Sequence, residues 1–119
     1  DFGDAIRFTA NTCDEDEKDL SAVKLDMSKF RAFTEGFMSA VAPTLGENEK
    51  NTLALGAITM TVECGMRFLT DYLDGDRYFK TCYKTHNLDR ARCQLALAED
   101  MIARKDEMES VVAEYARNG

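Results

Sequence analysis

The residues best placed to do chemistry lie between positions 63 and 74. Glu63, Arg67, Asp71 and Asp74 recur at three- and four-residue intervals, a spacing that puts them on one face of a helix. Arg67 sits between Met66 and Phe68, in the least polar stretch of the chain. A guanidinium there must be satisfied by carboxylates or by a polar ligand, because an unpaired buried charge is very costly. Ion pairing with Glu63 or Asp71 and ligand binding are the two readings, and periodicity does not separate them. Three other features invite a chemical reading, and each has a simpler one. Asp1-Phe2-Gly3 matches the magnesium-binding triplet of protein kinases. It runs straight into Ala5-Ile6-Arg7-Phe8, so a helix-capping aspartate is the better reading. The acidic run from Asp14 to Asp19 fails the EF-hand template, which needs glycine at the sixth position and glutamate at the twelfth, where Asp19 and Leu25 stand. It reads as a solvated loop. His86, the single histidine, precedes a helix start and reads as a structural or surface residue.

The elements that must position these residues are helical. The chain has 119 residues, enough for one modest core. It carries a single proline, Pro43, and long runs of Ala, Leu, Met, Glu, Lys and Arg, all helix-favouring. An all-α fold of about four main helices in one domain, 1–119, follows. Residues 1–10 form a short helix, with Asp1 and Asp4 at the positive end of its dipole. A second helix starts near Asp26 or Ser28 and runs to about Val41, its stripe being Met27, Phe30, Phe33, Phe37 and Val41. Pro43, Leu45 and Gly46 end it. A third runs from Glu47 to Leu73, with Leu55, Ile58, Val62, Met66, Leu69 and Leu73 as its main stripe. Gly56 and Gly65 inside it cost roughly 1 kcal/mol each relative to Ala, a cost that implies close approach by another helix or a ligand. Asp74-Gly75-Asp76 breaks it, and 77–86 is an aromatic connector. Asn87 caps a last helix using Leu88, Ala91, Leu95, Ala98, Ile102, Met108, Val112 and Tyr115, roughly 45 Å long for thirty residues.

Charge excludes some partners. The formal net charge is −7, a sign that repels nucleic-acid backbones and anionic lipid. No apolar run approaches the roughly 20 residues that span a bilayer, and no signal peptide opens the chain. Cys13, Cys64, Cys82 and Cys93 are irregularly spaced without a C-x-x-C, which predicts reduced thiols and a cytoplasmic setting. The chain begins without methionine, as a processed protein or a piece of a longer one would. No glycine-rich phosphate loop, phosphate-anchoring strand lysine or catalytic-loop motif occurs, so the residues by themselves give a helical domain with one suspicious arginine and an aromatic connector.

Several consecutive segments nevertheless resemble a known family. Asp1-Phe2-Gly3-Asp4-Ala5-Ile6-Arg7-Phe8, Phe30-Arg31-Ala32-Phe33-Thr34-Glu35-Gly36-Phe37, and Glu63-Cys64-Gly65-Met66-Arg67-Phe68-Leu69-Thr70-Asp71-Tyr72-Leu73 carry the likeness. Gly75-Asp76, Tyr78-Phe79 and His86-Asn87-Leu88-Asp89-Arg90 extend it. In this order they resemble the C-terminal third of N-acetylhexosamine 1-kinases, of the aminoglycoside phosphotransferase (choline-kinase-like) superfamily. The resemblance implies a protein-kinase-like fold in the intact protein, this chain being a helical subdomain of its C-terminal lobe. It implies transfer of the γ-phosphoryl of ATP, with Mg²⁺, to an amino-sugar hydroxyl. The family's catalytic aspartate and metal ligands would precede Asp1, so the chain alone would be inactive and bind neither ATP nor metal. Asp1, with Asp4, would brace the catalytic loop; Phe8 would pack against the sugar and Arg67 would hydrogen-bond it, with Tyr78 a further contact. Arg77 and Lys80 make the connector more basic than the family pattern. Some relatives carry a mucin-desulfatase label, but nothing in this chain suggests sulfatase chemistry. The competing class is a non-catalytic helical interaction domain. A truncated chain would also expose Phe2, Ile6 and Phe8, a surface suited to homodimerisation.

Overall fold

A computed structural model of the chain describes residues 2–41 and 44–118, the side chains of 117 and 118 excepted. Asp1 and Pro43, read above as a loop brace and a helix stop, lie outside the described residues. The architecture is all-α: α1 (Phe2–Thr9), a 3-10 turn (Leu20–Ala22), α2 (Met27–Val41), α3 (Glu47–Asn51), α4 (Leu53–Leu73), α5 (His86–Ala103) and α6 (Lys105–Asn118). Among the described residues there is no strand, only an isolated bridge between Asn11 and Leu25.

Two of the four expected helices are each split in two. The 47–73 helix breaks at Thr52, whose hydroxyl donates to the carbonyls of Asn48 (2.9 Å) and Glu49 (3.2 Å). That back-bonding competes with the backbone ladder and bends the chain. The final helix breaks at Arg104, whose amide is shared between the carbonyls of Asp100 and Met101 at 3.0 and 3.1 Å. Its guanidinium meanwhile reaches the carbonyl of Leu25 at 2.8 Å. The break frees α6 to turn back across α2, α3 and α4, while α5 stays along α4. The result is an elongated body, 47 × 26 × 19 Å, with α4 central and packed mainly on α5 and α1.

The buried face of α4 is not its large-residue stripe. It buries Ala54, Ala57, Ile58, Thr61, Gly65, Phe68 and Asp71, while Leu55, Met66 and Leu73 point outward. Small residues let α1 and α5 come close. A Cβ on Gly3 would lie 2.7 Å from the Gly56 carbonyl oxygen, and one on Gly65 would lie 3.0 Å from the Leu95 side chain. Gly65 therefore has the close neighbour its cost requires. At Gly56 an added Cβ would meet open space; the close approach there belongs to Gly3. Among the described residues, α4 alone is long and apolar enough to cross a membrane, with a mean hydropathy of 1.2, although the sequence has no unbroken apolar run. Its small-residue face is packed within the molecule.

α2 follows its predicted stripe with a shifted phase. Phe30, Thr34 and Met38 are buried and Phe33 and Phe37 flank them. Phe2 closes this cluster, its ring centroid 4.9 Å from Phe37, 5.9 Å from Phe33 and 6.2 Å from Phe30. Burying one such ring contributes about 1.5–3 kcal/mol. Phe2 and Ile6 are thus core residues, 5% and 0% exposed, and only Phe8 of the expected dimer surface faces out, at 69%. The amphipathic α1 inserts Phe2 and Ile6 between α2 and α4, which removes them from any interface.

All four cysteines are free. Cys93 is fully buried beside the Asp14 carbonyl, and burial pushes its thiol up. Cys64 is half-buried, and burial raises it too.

Candidate functional site

The site is built around the end of α4 and the connector that follows. Gly75 (φ 96°) and Asp76 (φ 60°) turn the chain through left-handed backbone. The amide of Asp76 donates to the Asp71 carbonyl at 2.8 Å and that of Gly75 to the Tyr72 carbonyl at 3.3 Å. These are the two bonds of a glycine-terminated helix C-cap. The Asp71 side chain then captures the connector: it accepts from the amides of Tyr78 (2.8 Å) and Phe79 (3.0 Å) and from Asn87 Nδ2 (2.7 Å). Desolvation pushes this carboxyl up, but the bonds from Phe79, Tyr78 and Asn87 outweigh it and hold its pKa below the ordinary value.

Asn87 is not the helix cap. It lies inside the first turn of α5, fully buried. Its Nδ2 bridges Asp71 and Asp76 (3.0 Å), and its Oδ1 accepts from Arg90 at 2.9 Å. Arg90 also donates to the Lys80 carbonyl at 2.9 Å and lies over the Phe68 ring. His86 is buried and structural: its Nδ1 accepts from the Cys82 amide (3.1 Å), which places the ring proton on Nε2, 2.8 Å from Asp16. Tyr83 stacks on it at 4.6 Å. Burial and the adjacent Asp89 carboxylate push the Tyr83 phenol up to about 12, so it stays protonated at neutral pH.

The depressed pKa of Asp71 gives the connector an acid limit. A carboxylate whose folded pKa is lowered contributes stability that is present above its unfolded pKa and lost as pH falls through the folded one. Hydrogen-exchange protection at Tyr78 and Phe79, corrected for intrinsic rates, is expected to stay flat from neutral pH to about pH 4 and to fall below it. Loss of protection already near pH 6 would contradict the assignment.

Two adjoining clefts open on this framework. The first, about 540 Å³, is lined by Asp4, Arg7, Phe8, Glu15, Met60, Glu63, Cys64, Arg67, Phe68, Phe79, Lys80 and Arg90. The second, about 410 Å³, is lined by Glu63, Met66, Arg67, Thr70, Asp71, Asp74, Tyr78 and Phe79. Arg67, Glu63 and Phe79 form the shared wall. Phe8 thus shares one cleft with Arg67 and Tyr78 shares the other; neither of these two clefts holds all three. Asp4 lies at the edge of the first, bonded to Arg7 at 3.1 Å.

Arg67 differs from both readings of its environment in one respect: it is exposed. Among the described residues no carboxylate lies within 4.0 Å of it, because Asp71 is committed to the connector. Its guanidinium instead lies 5.8 Å from the Tyr78 ring centroid and 5.7 Å from that of Phe79, a cation–π arrangement that leaves its donors open to the clefts.

Arg7 escaped the sequence reading. It donates to Glu15 (2.8 Å) and Gln94 (3.4 Å) as well as Asp4, with its side chain only 12% exposed. Burial pulls its pKa down, but Glu15 and Asp4 more than offset this. The acidic run is therefore a strap rather than a free loop: Glu15 ties α1 and Asp16 ties α5. The i, i+3 pair of Asp4 and Arg7 was the one visible signal. Chemically, the arrangement offers aromatic faces, open guanidinium donors and carboxylate acceptors, the set that orients a polyhydroxylated ligand. No known protein-family model matches the chain.

Proposed function

We propose that this chain is the acceptor-side helical part of an ATP-dependent small-molecule kinase that phosphorylates an amino sugar, an N-acetylhexosamine at its anomeric hydroxyl. The single observation that carries the reading is Arg67. It stands between two clefts with its donors unpaired among the described residues and its flat face against Tyr78 and Phe79. The likeness of its flanking segments to N-acetylhexosamine 1-kinases supports the same reading. On it, Arg67 hydrogen-bonds the sugar, Tyr78 and Phe8 pack on its apolar faces, and the Asp71–Asn87 knot fixes the connector that carries Tyr78.

The ATP and Mg²⁺ that such a reaction needs do not fit the residues present. Among the described residues no three His, Cys, Asp or Glu side chains are grouped to hold a metal, and the sequence has no phosphate-cradling loop. No step through them is assigned to this chain, and it is expected to be inert alone.

A second reading, a non-catalytic interaction domain or homodimer, has one observation behind it: the outward face of α4 leaves Leu55, Met66 and Leu73 exposed. Amide-shift mapping of the 119-residue chain during titration with N-acetylhexosamines, galactose, choline and an aminoglycoside separates the two. Sugar-dependent shifts at Phe8, Arg67 and Phe79 are expected. No shift with any acceptor, and concentration-dependent shifts at Leu55, Met66 and Leu73 instead, would favour the interaction reading.

A further inference from the structure

The main cleft and the whole chain differ in charge. The chain carries 15 Lys and Arg against 22 Asp and Glu. The first cleft reverses that balance, with Arg7, Arg67, Lys80 and Arg90 against Asp4, Glu15 and Glu63. The excess is a single charge, and it is unevenly placed. Asp4 and Glu15 both spend their charge on Arg7. Arg90 is held, among the described residues, only by neutral oxygens, those of Lys80 and Asn87. Among the described residues, neither Arg67 nor Lys80 has a carboxylate within 4.0 Å. Three cations without ion-pair partners among the described residues thus line one cleft, in which Glu63 is the one uncommitted carboxylate.

The second cleft has the opposite sense. With Asp71 committed to the connector, Glu63 and Asp74 still outnumber Arg67 there, beside Tyr78, Phe79 and Met66. Carboxylates accept hydrogen bonds from hydroxyls, and aromatic faces cover sugar C–H faces. A ligand bridging the two clefts therefore meets hydroxyl acceptors at one end and unpaired cations at the other.

We infer that the cleft bounded by Arg67, Lys80 and Arg90 takes an anionic substituent, so that the sugar is an acidic one, a hexose carrying a sulfate, phosphate or carboxylate. The sugar half of this statement rests on the reading proposed above; the anion half stands on the cleft alone. Charge-assisted bonds to such a group are the strong ones. One of them, at about 1.5–3 kcal/mol, corresponds to about tenfold or more in affinity.

The test is calorimetric titration of the 119-residue chain with N-acetylglucosamine, its 6-sulfate, its 6-phosphate, glucuronate, and inorganic sulfate and phosphate alone. The wild type is compared with Arg67→Gln and Lys80→Glu, with Arg31→Gln as the control, since Arg31 pairs with Glu114 outside the cleft. Circular dichroism checks each fold. The acidic sugars are expected to bind about tenfold more tightly than N-acetylglucosamine. The difference should shrink with added salt and vanish in Lys80→Glu while Arg31→Gln keeps it. Protection of Cys64, which lines the cleft, from alkylation by the bound ester would locate it there. Equal affinity for neutral and acidic sugars would overturn the anionic subsite and leave the sugar reading standing. Inorganic sulfate or phosphate binding as tightly as the esters would uphold the anion site and overturn the sugar. No binding by any of them would overturn both.

Discussion

Gly3→Ala is expected to destabilise the fold by about 1–3 kcal/mol, because an over-packed contact with no flexible partner must move backbone. The new methyl would sit 2.7 Å from the Gly56 carbonyl oxygen and 3.1 Å from the Ala57 Cα. Neither atom is the end of a side chain, so α1 must lift off α4 and take Phe2 and Ile6 with it. Gly56→Ala is the matched control. Its Cβ meets nothing within 4 Å, and it removes a mid-helix glycine, so it should be neutral or stabilising by about 0.5–1 kcal/mol. Urea unfolding of both variants decides the point. Equal effects from the two glycines would show that helix propensity, and not the α1–α4 approach, governs this contact.

Asn87→Ala is expected to cost about 1.5–3 kcal/mol, the range for lost hydrogen bonds to charged groups. The amide bridges Asp71 and Asp76 and receives Arg90, and it is fully buried. Removing it leaves two carboxylates and a guanidinium short of a partner and unties α4 from α5 at the connector. The measurable consequence reaches beyond stability. Exchange protection at Tyr78 and Phe79 should fall, and acceptor binding should weaken although Asn87 lines neither cleft. A variant within 0.5 kcal/mol of wild type, with the connector still protected, would mean that Asp71 alone suffices to hold it.

The helical class was legible because composition and three- and four-residue spacing agree over most of the chain. The breaks at Thr52 and Arg104 were not, since each depends on a side chain choosing a backbone partner: Thr52 its own preceding turn, Arg104 the Leu25 carbonyl. The phase of α4 was misread for a related reason. Periodicity weighs large residues, but the face that meets α1 and α5 is selected for small ones, Ala54, Ala57, Thr61 and Gly65. Leu55, Met66 and Leu73 were therefore assigned to a core they do not enter.

The candidate site shows the same division. Spacing put Glu63, Arg67, Asp71 and Asp74 on one helix, and all four line the second cleft. It could not show that Asp71 would turn away to bind two amides of the connector, because those amides are seven and eight residues on and reach it only through the left-handed turn at Gly75 and Asp76. Once Asp71 is so committed, Arg67 is left with aromatic faces. Asn87 looked like a cap from its type and position; burial made it a cross-link. Arg7 was hidden in an apolar helix, its partner Glu15 in a run of charges that reads as solvated.

The most direct measurement is ATP-dependent phosphorylation by the intact gene product across N-acetylhexosamines in neutral and acidic forms, galactose, choline and aminoglycosides, with Arg67→Ala alongside. The account predicts sugar turnover, with kcat/KM falling about tenfold or more in the variant for loss of a charge-assisted contact. No turnover on any acceptor together with no ATP binding would contradict it, and so would turnover that Arg67→Ala leaves untouched.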